Sequence, residues 1–156
     1  MRSVIKEANE KGIVLVVEQQ FKTAKKIIQQ NLVPIIEPEV DIHCENKSEA
    51  EKILLAKLKN QIEQLTSDQK ILLKLTIPNE ANLYAPLINH PNVLRVFALS
   101  GGYSRDDSNK YLALNNGMLA SFSRALTEGL SVKQSDEEFN SVLDASIESI
   151  FQASIS

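Results

Sequence analysis

Residues 71–78 read ILLKLTIP, and Lys74 is the only charged group in that apolar run. An ammonium taken out of water is costly unless it is paired or loses its proton, and a lysine amine without its proton can attack a ketone and form a Schiff base. In PIIEPEV the carboxylates Glu37 and Glu39 stand two apart, so an extended strand puts both on one face. A third apolar run ends in Ser100, Gly101 and Gly102, and Arg124 lies in SFSRAL after a fourth. Glycine amides together with an arginine at a helix start suit a phosphate. Taken singly, each feature has a plainer explanation. A strand lysine more often reaches out to solvent, EPE is more often a solvated strand end, SGG can be a tight turn, and Arg124 can be a surface residue. What joins them is their shared place at the C-terminal ends of successive strands.

The elements that must position these groups follow from hydrophobic period. Val17, Phe21, Ala24 and Ile28 recur at helical spacing, and Leu54, Leu58, Ile62 and Leu65 repeat the pattern after NKSE, a capping-box string that starts at Asn46. Strands are expected near 32–37, 71–77, 93–99 and 118–123. A short polar helical stretch over 80–89, a helix starting near Ser104 and a last amphipathic helix fill the gaps. The last helix opens on a Ser135/Glu138 capping box ahead of Phe139, Leu143, Ile147 and Ile150. Four strands alternating with helices indicate the α/β class, with parallel βα units and both sheet faces covered. Within ILLKLT, Leu72, Lys74 and Thr76 share one face while Leu73 and Leu75 point the other way.

Composition narrows the function. The chain has 156 residues, 43% of them hydrophobic, which is enough for one packed domain over 1–156. Seventeen basic residues against 20 acidic ones give a net charge of -3, too even for binding nucleic acid or membrane through bulk charge. Cys44 is the only cysteine, and His43 and His90 lack zinc-ligand spacing, so neither a disulfide nor a structural metal is expected and a reducing cytoplasm is the natural setting. The apolar run 13–17 is far shorter than a membrane span.

The segments LVPIIEPEV, LLK, LSGG and SRAL, in that order, resemble the class I (Schiff-base) fructose-bisphosphate aldolases, particularly the bacterial ones. The resemblance runs from Met1 to about residue 150. It implies the C-terminal half of a (β/α)8 TIM barrel with four parallel strands, and reversible cleavage of fructose 1,6-bisphosphate to dihydroxyacetone phosphate and glyceraldehyde 3-phosphate. Lys74 would then be the Schiff-base lysine, Glu37 the proton carrier, and Glu39 a group that orients the lysine or shares its charge. Ser100, Gly101, Gly102 and Arg124 would hold a phosphate, with Ser123 adding a backbone amide. Arg2 would bind the open sugar chain or its far phosphate. The chemistry so implied needs no metal or other cofactor, since the lysine itself is the covalent group.

The sequence departs from the family at three points. Asn31 stands where many relatives have glycine, Leu75 follows the lysine where many animal relatives have proline, and FQASIS has no tyrosine. A full barrel needs eight strands and about 250 residues. The first-strand aspartate and the third- and fourth-strand lysines of the family are therefore expected to be absent. An isolated half-barrel would be unstable or oligomeric, pairing with itself or with a complementary N-terminal half. The alternative to an active lyase is a non-catalytic half-barrel that keeps its phosphate site.

Overall fold

The computed structural model describes residues 2–155; Met1 and Ser156, the two ends of the expected domain, lie outside the described residues. The chain alternates β1 (Arg2–Ile5), α1 (Glu10–Ile28), β2 (Ile35–Val40), α2 (Lys47–Ile62), β3 (Ile71–Thr76), α3 (Ala85–Ile88), β4 (Val93–Leu99), α4 (Arg105–Leu112) and β5 (Met118–Ala120). Two helices, α5 (Arg124–Thr127) and α6 (Asp136–Ser154), follow. The strands form one parallel sheet in the order β1-β2-β3-β4-β5.

The sheet thus has five strands, not four. The extra one is RSVI, four residues of which two are polar, too short and too mixed for its period to show. Its pairing defines it, with Arg2 opposite Glu37 and Ile5 opposite Val40. The expected strand over 118–123 stops at Ala120, and the one near 32–37 begins at Ile35 and runs on to Val40.

The helices cover one face of the sheet. Ile36, Val40, Leu73, Leu75, Val96, Ala98 and Met118 on that face are all buried. On the opposite face Ile35 is 44% exposed and Val4 41%, while Leu72, Phe97 and Leu119 are half-buried. The expectation that both faces would be covered therefore fails. Every βα crossover returns on the same side, as in half of a barrel wall.

Local sequence explains most of the helix ends. Asn9 caps α1 by accepting from the Gly12 N–H at 3.1 Å; of the expected stripe Val17, Phe21 and Ala24 are buried and Ile28 half-buried, and Ile13 extends it by one turn. The turn into β2 passes through Asn31 at φ 58, a left-handed conformation that asparagine tolerates and glycine adopts freely, which accounts for the glycine of the resembled family there. Asn46 does cap α2, but no side-chain hydrogen bond forms, so the expected capping box is absent. The Ser135/Glu138 box at α6 is complete in both directions, at 3.3 and 2.9 Å. That helix buries Ser146 and Ala153, while Phe139, Ile147 and Phe151 stay exposed.

A buried ionic cluster ties α2 to the end of β3. Lys47 pairs with Glu51 one turn on and also donates to the Ile77 carbonyl at 2.8 Å and to Asn79 Oδ1 at 2.9 Å. Glu51 accepts the Asn79 N–H at 3.0 Å. Burial pushes the Glu51 carboxyl above its usual range, against the pull of Lys47.

Candidate active site

The C-terminal ends of the strands meet around an open cleft of about 460 Å³. Lys74 enters it from β3 because Leu73 and Leu75 take the helix-covered face and leave the alternate residues on the open one. Ile35 pairs with Leu72, so two residues further along Glu37 lies level with Lys74. Their side chains meet there, with Lys74 Nζ 3.6 Å from Glu37 Oε2 and both half-buried. Pro38 follows Glu37 and cannot donate to a ladder. The Glu37 N–H donates to the buried Gln20 Oε1 of α1 at 2.7 Å, which anchors the strand at this glutamate.

Glu39 has a different partner. Its Oε1 accepts from Arg2 Nε at 2.7 Å, and this bond, with the charge of Glu39, raises the guanidinium pKa above its ordinary value. Glu39 is buried while Arg2 remains largely exposed at the rim.

The other wall carries backbone donors and a guanidinium. Ser100 is buried at the end of β4, and Gly101 and Gly102 turn away from it at φ 65 and φ 124. A Cβ at Gly101 would stand 2.6 Å from Ile42 Cγ2, so only glycine fits both the dihedral and the space. The Arg124 guanidinium lies over Gly102, both its terminal nitrogens 3.9 Å from where a Cβ would be. Among the described residues the N–H groups of Gly101, Gly102 and Ser123 make no hydrogen bond, which leaves three donors beside a guanidinium.

The cleft thus gathers Lys74, Glu37, Glu39, Arg2, Ser100, Gly101, Ser123 and Arg124, with Gly102 beneath the arginine. Sequence reasoning omitted Ser121 and Leu99, which also line it, and Gln20, which anchors Glu37. Ser121 was open to detection, since it stands two residues before Ser123 at the end of an apolar run. A buried helical glutamine carries no such sign. Among the described residues no group of three His, Cys, Asp or Glu gathers as a metal site, and no helix is long and apolar enough to cross a membrane.

No protein-family model matches the chain. Over 155 residues, 99% of its length, it is 57% identical to a fructose-bisphosphate aldolase class 1 of Porphyromonas gingivalis and 57% identical to one of Synechocystis. It is 53% identical to that of Clostridium acetobutylicum, and each alignment takes in 52% of the relative. The chain spans about half the length of the curated relatives it matches. The fold is similar to fructose-bisphosphate aldolase from Plasmodium falciparum, solved in complex with TRAP and a small-molecule inhibitor. The TM-score is 0.71 over 99% of this chain and 56% of that one, at 18% identity.

Proposed function

We propose, from the premise that this chain is a homologue of one half of the class 1 fructose-bisphosphate aldolases, that it carries the Schiff-base half of an aldolase active site. The observation that carries the reading is the 3.6 Å approach of Lys74 Nζ to Glu37 Oε2, in a cleft also lined by Ser100, Gly101, Ser123 and Arg124. A ketose phosphate seated with its phosphate on Gly101, Gly102, Ser123 and Arg124 brings its ketone to Lys74. The amine adds to the carbonyl carbon. The oxygen so formed takes a proton from solvent, and Glu37 takes the proton released from nitrogen and returns it to that hydroxyl, so that water leaves and an iminium remains.

The iminium accepts the electron pair of the neighbouring carbon–carbon bond. Cleavage then needs a base for the hydroxyl proton on the aldehyde side, the role that the resemblance gives to the first-strand aspartate. Arg2, at the opposite rim, suits the second phosphate of fructose 1,6-bisphosphate. The reaction is reversible cleavage to dihydroxyacetone phosphate and glyceraldehyde 3-phosphate, with no metal ion, in a cytoplasmic setting.

Borohydride reduction in the presence of dihydroxyacetone phosphate tests the covalent step, because it traps only an imine. The expected label maps to Lys74 and vanishes in Lys74→Ala. A label on another lysine, or none when the complementary half of a relative is supplied, would overturn the reading. In a coupled assay, turnover of fructose 1,6-bisphosphate should be low for the chain alone, rise on complementation and survive a chelator.

A further inference from the structure

We propose that Asn116 is a site of spontaneous deamidation at the foot of β5. Asn116–Gly117 is the only Asn-Gly pair in the sequence, and both residues are exposed. The reaction needs a main-chain nitrogen free to attack the preceding side-chain amide, and glycine, having no side chain, screens its nitrogen least. Among the described residues neither the Gly117 N–H nor the Asn116 side-chain amide makes a hydrogen bond. Glycine is built into this turn, because residue 117 has φ 82 and a Cβ there would come within 3.0 Å of Ile88 Cγ2.

The neighbouring asparagine provides an internal contrast. Asn115 is 3% exposed, its Oδ1 accepts from the Asn82 N–H at 2.9 Å and its Nδ2 donates to the Tyr111 carbonyl at 2.8 Å. The nitrogen that would attack it, that of Asn116, donates to Asn82 Oδ1 at 2.9 Å. Two adjacent asparagines therefore differ at both reacting atoms, and only Asn116 has both free.

Attack forms a bond between the Gly117 nitrogen and Asn116 Cγ. The Cγ–Nδ2 bond breaks, and the proton from the Gly117 nitrogen leaves on the ammonia. Water then opens the succinimide at either carbonyl, giving aspartate or isoaspartate. Isoaspartate routes the main chain through the former side chain and adds one carbon to the link between residues 116 and 117, one residue ahead of Met118, which pairs with Val96. That strand leads into Ser121, Ser123 and Arg124 at the cleft, so the lesion loosens the element that carries them.

The test is incubation of the full chain in mildly alkaline buffer, followed by peptide mapping and enzymatic methylation of isoaspartyl carboxyls. Asn116→Gln, Asn115→Gln and a free peptide spanning 112–120 are run beside it. Ammonia loss should map to Asn116, quicken with pH, proceed unchanged in Asn115→Gln and disappear at this position in Asn116→Gln. The aged chain should unfold at lower urea than the aged Asn116→Gln variant. First modification at Asn115 or elsewhere, or an intact Asn116 after the free peptide has converted, would overturn the proposal. If Asn116→Gln fails to fold, mapping of the unsubstituted chain against the peptide decides alone.

Discussion

Arg2 and Glu39 are joined by an Nε–Oε1 contact of 2.7 Å across the first strand pair, and this bond takes Glu39 away from Lys74. The two carboxylates of EPE therefore have separate partners, Glu37 the amine and Glu39 the guanidinium. The resemblance assigned Glu39 to the lysine, whereas among the described residues the charged partner of the lysine is Glu37.

Glu37→Gln should slow borohydride-trapped labelling of Lys74 by roughly a hundredfold to ten-thousandfold, the usual weight of one positioned proton carrier. A rate equal to that of the unsubstituted chain at neutral pH would remove Glu37 from the mechanism.

Glu39→Gln should leave labelling by dihydroxyacetone phosphate nearly intact, since Glu39 has no bond to Lys74. Parallel time courses of the two glutamine variants make the comparison. An equal collapse in both would mean that the carboxylates act as one unit.

Gly101→Ala should lower stability by about 1–2 kcal/mol, the cost of a left-handed non-glycine residue, with Ile42 displaced in addition. Phosphate affinity should fall with it, because the Gly101 and Gly102 amides turn together. Urea midpoints and calorimetric titration with inorganic phosphate give the two readings, and unchanged values in both would show that the turn tolerates a side chain.

Lys47→Met should cost about 3–5 kcal/mol, because it leaves Glu51 charged and buried without its cation, whereas Lys47→Met with Glu51→Leu should recover most of the loss. The pH dependence has a definite sign. Burial raises the folded-state pKa of Glu51 above its unfolded value, so the folded state takes up the proton first. The stability deficit of Lys47→Met should therefore shrink as pH falls through that raised value and widen as pH rises. Urea melts across the acidic range measure it; a deficit that grows on acidification would refute the assignment.

At the α6 N-terminus the sign is opposite. The Ser135 backbone N–H, then its hydroxyl, hold the Glu138 carboxyl below its ordinary pKa. The stabilisation is fully present above the ordinary carboxylate pKa and is lost as pH falls through the lowered folded value. Helical circular dichroism of the native chain should decline over that window, and Glu138→Gln should abolish this part of the decline.

How much of this was legible in the sequence depended on the length and purity of each pattern. ILLKLT and VLRVFAL are long and apolar enough to declare strands, and LVPIIEPEV marks the strand that begins at Ile35. RSVI is not, and its strand character comes from pairing with Ile35–Val40, a partner more than thirty residues away. The residues that line the cleft were readable because most of them stand at the ends of apolar runs. Gln20 was not, because its role depends on α1 lying behind Glu37. The outward Phe139 and Ile147 show the limit of periodicity: it identified an amphipathic helix, but Ser146 and Ala153 form the buried side. The Asn46 box failed for a related reason, since the motif was present but the required bond did not form.

Each strand of the sheet lies beside the one made just before it, so the order along the chain is also the order in space. No strand must wait for a distant segment before it finds an edge to join. Within this stretch β1 and α1 leave the ribosome before β2, and each later strand–helix unit arrives beside the strand made just before it. Growth of the sheet can then keep pace with translation, one strand at a time, each new strand covering the edge left by the one before it.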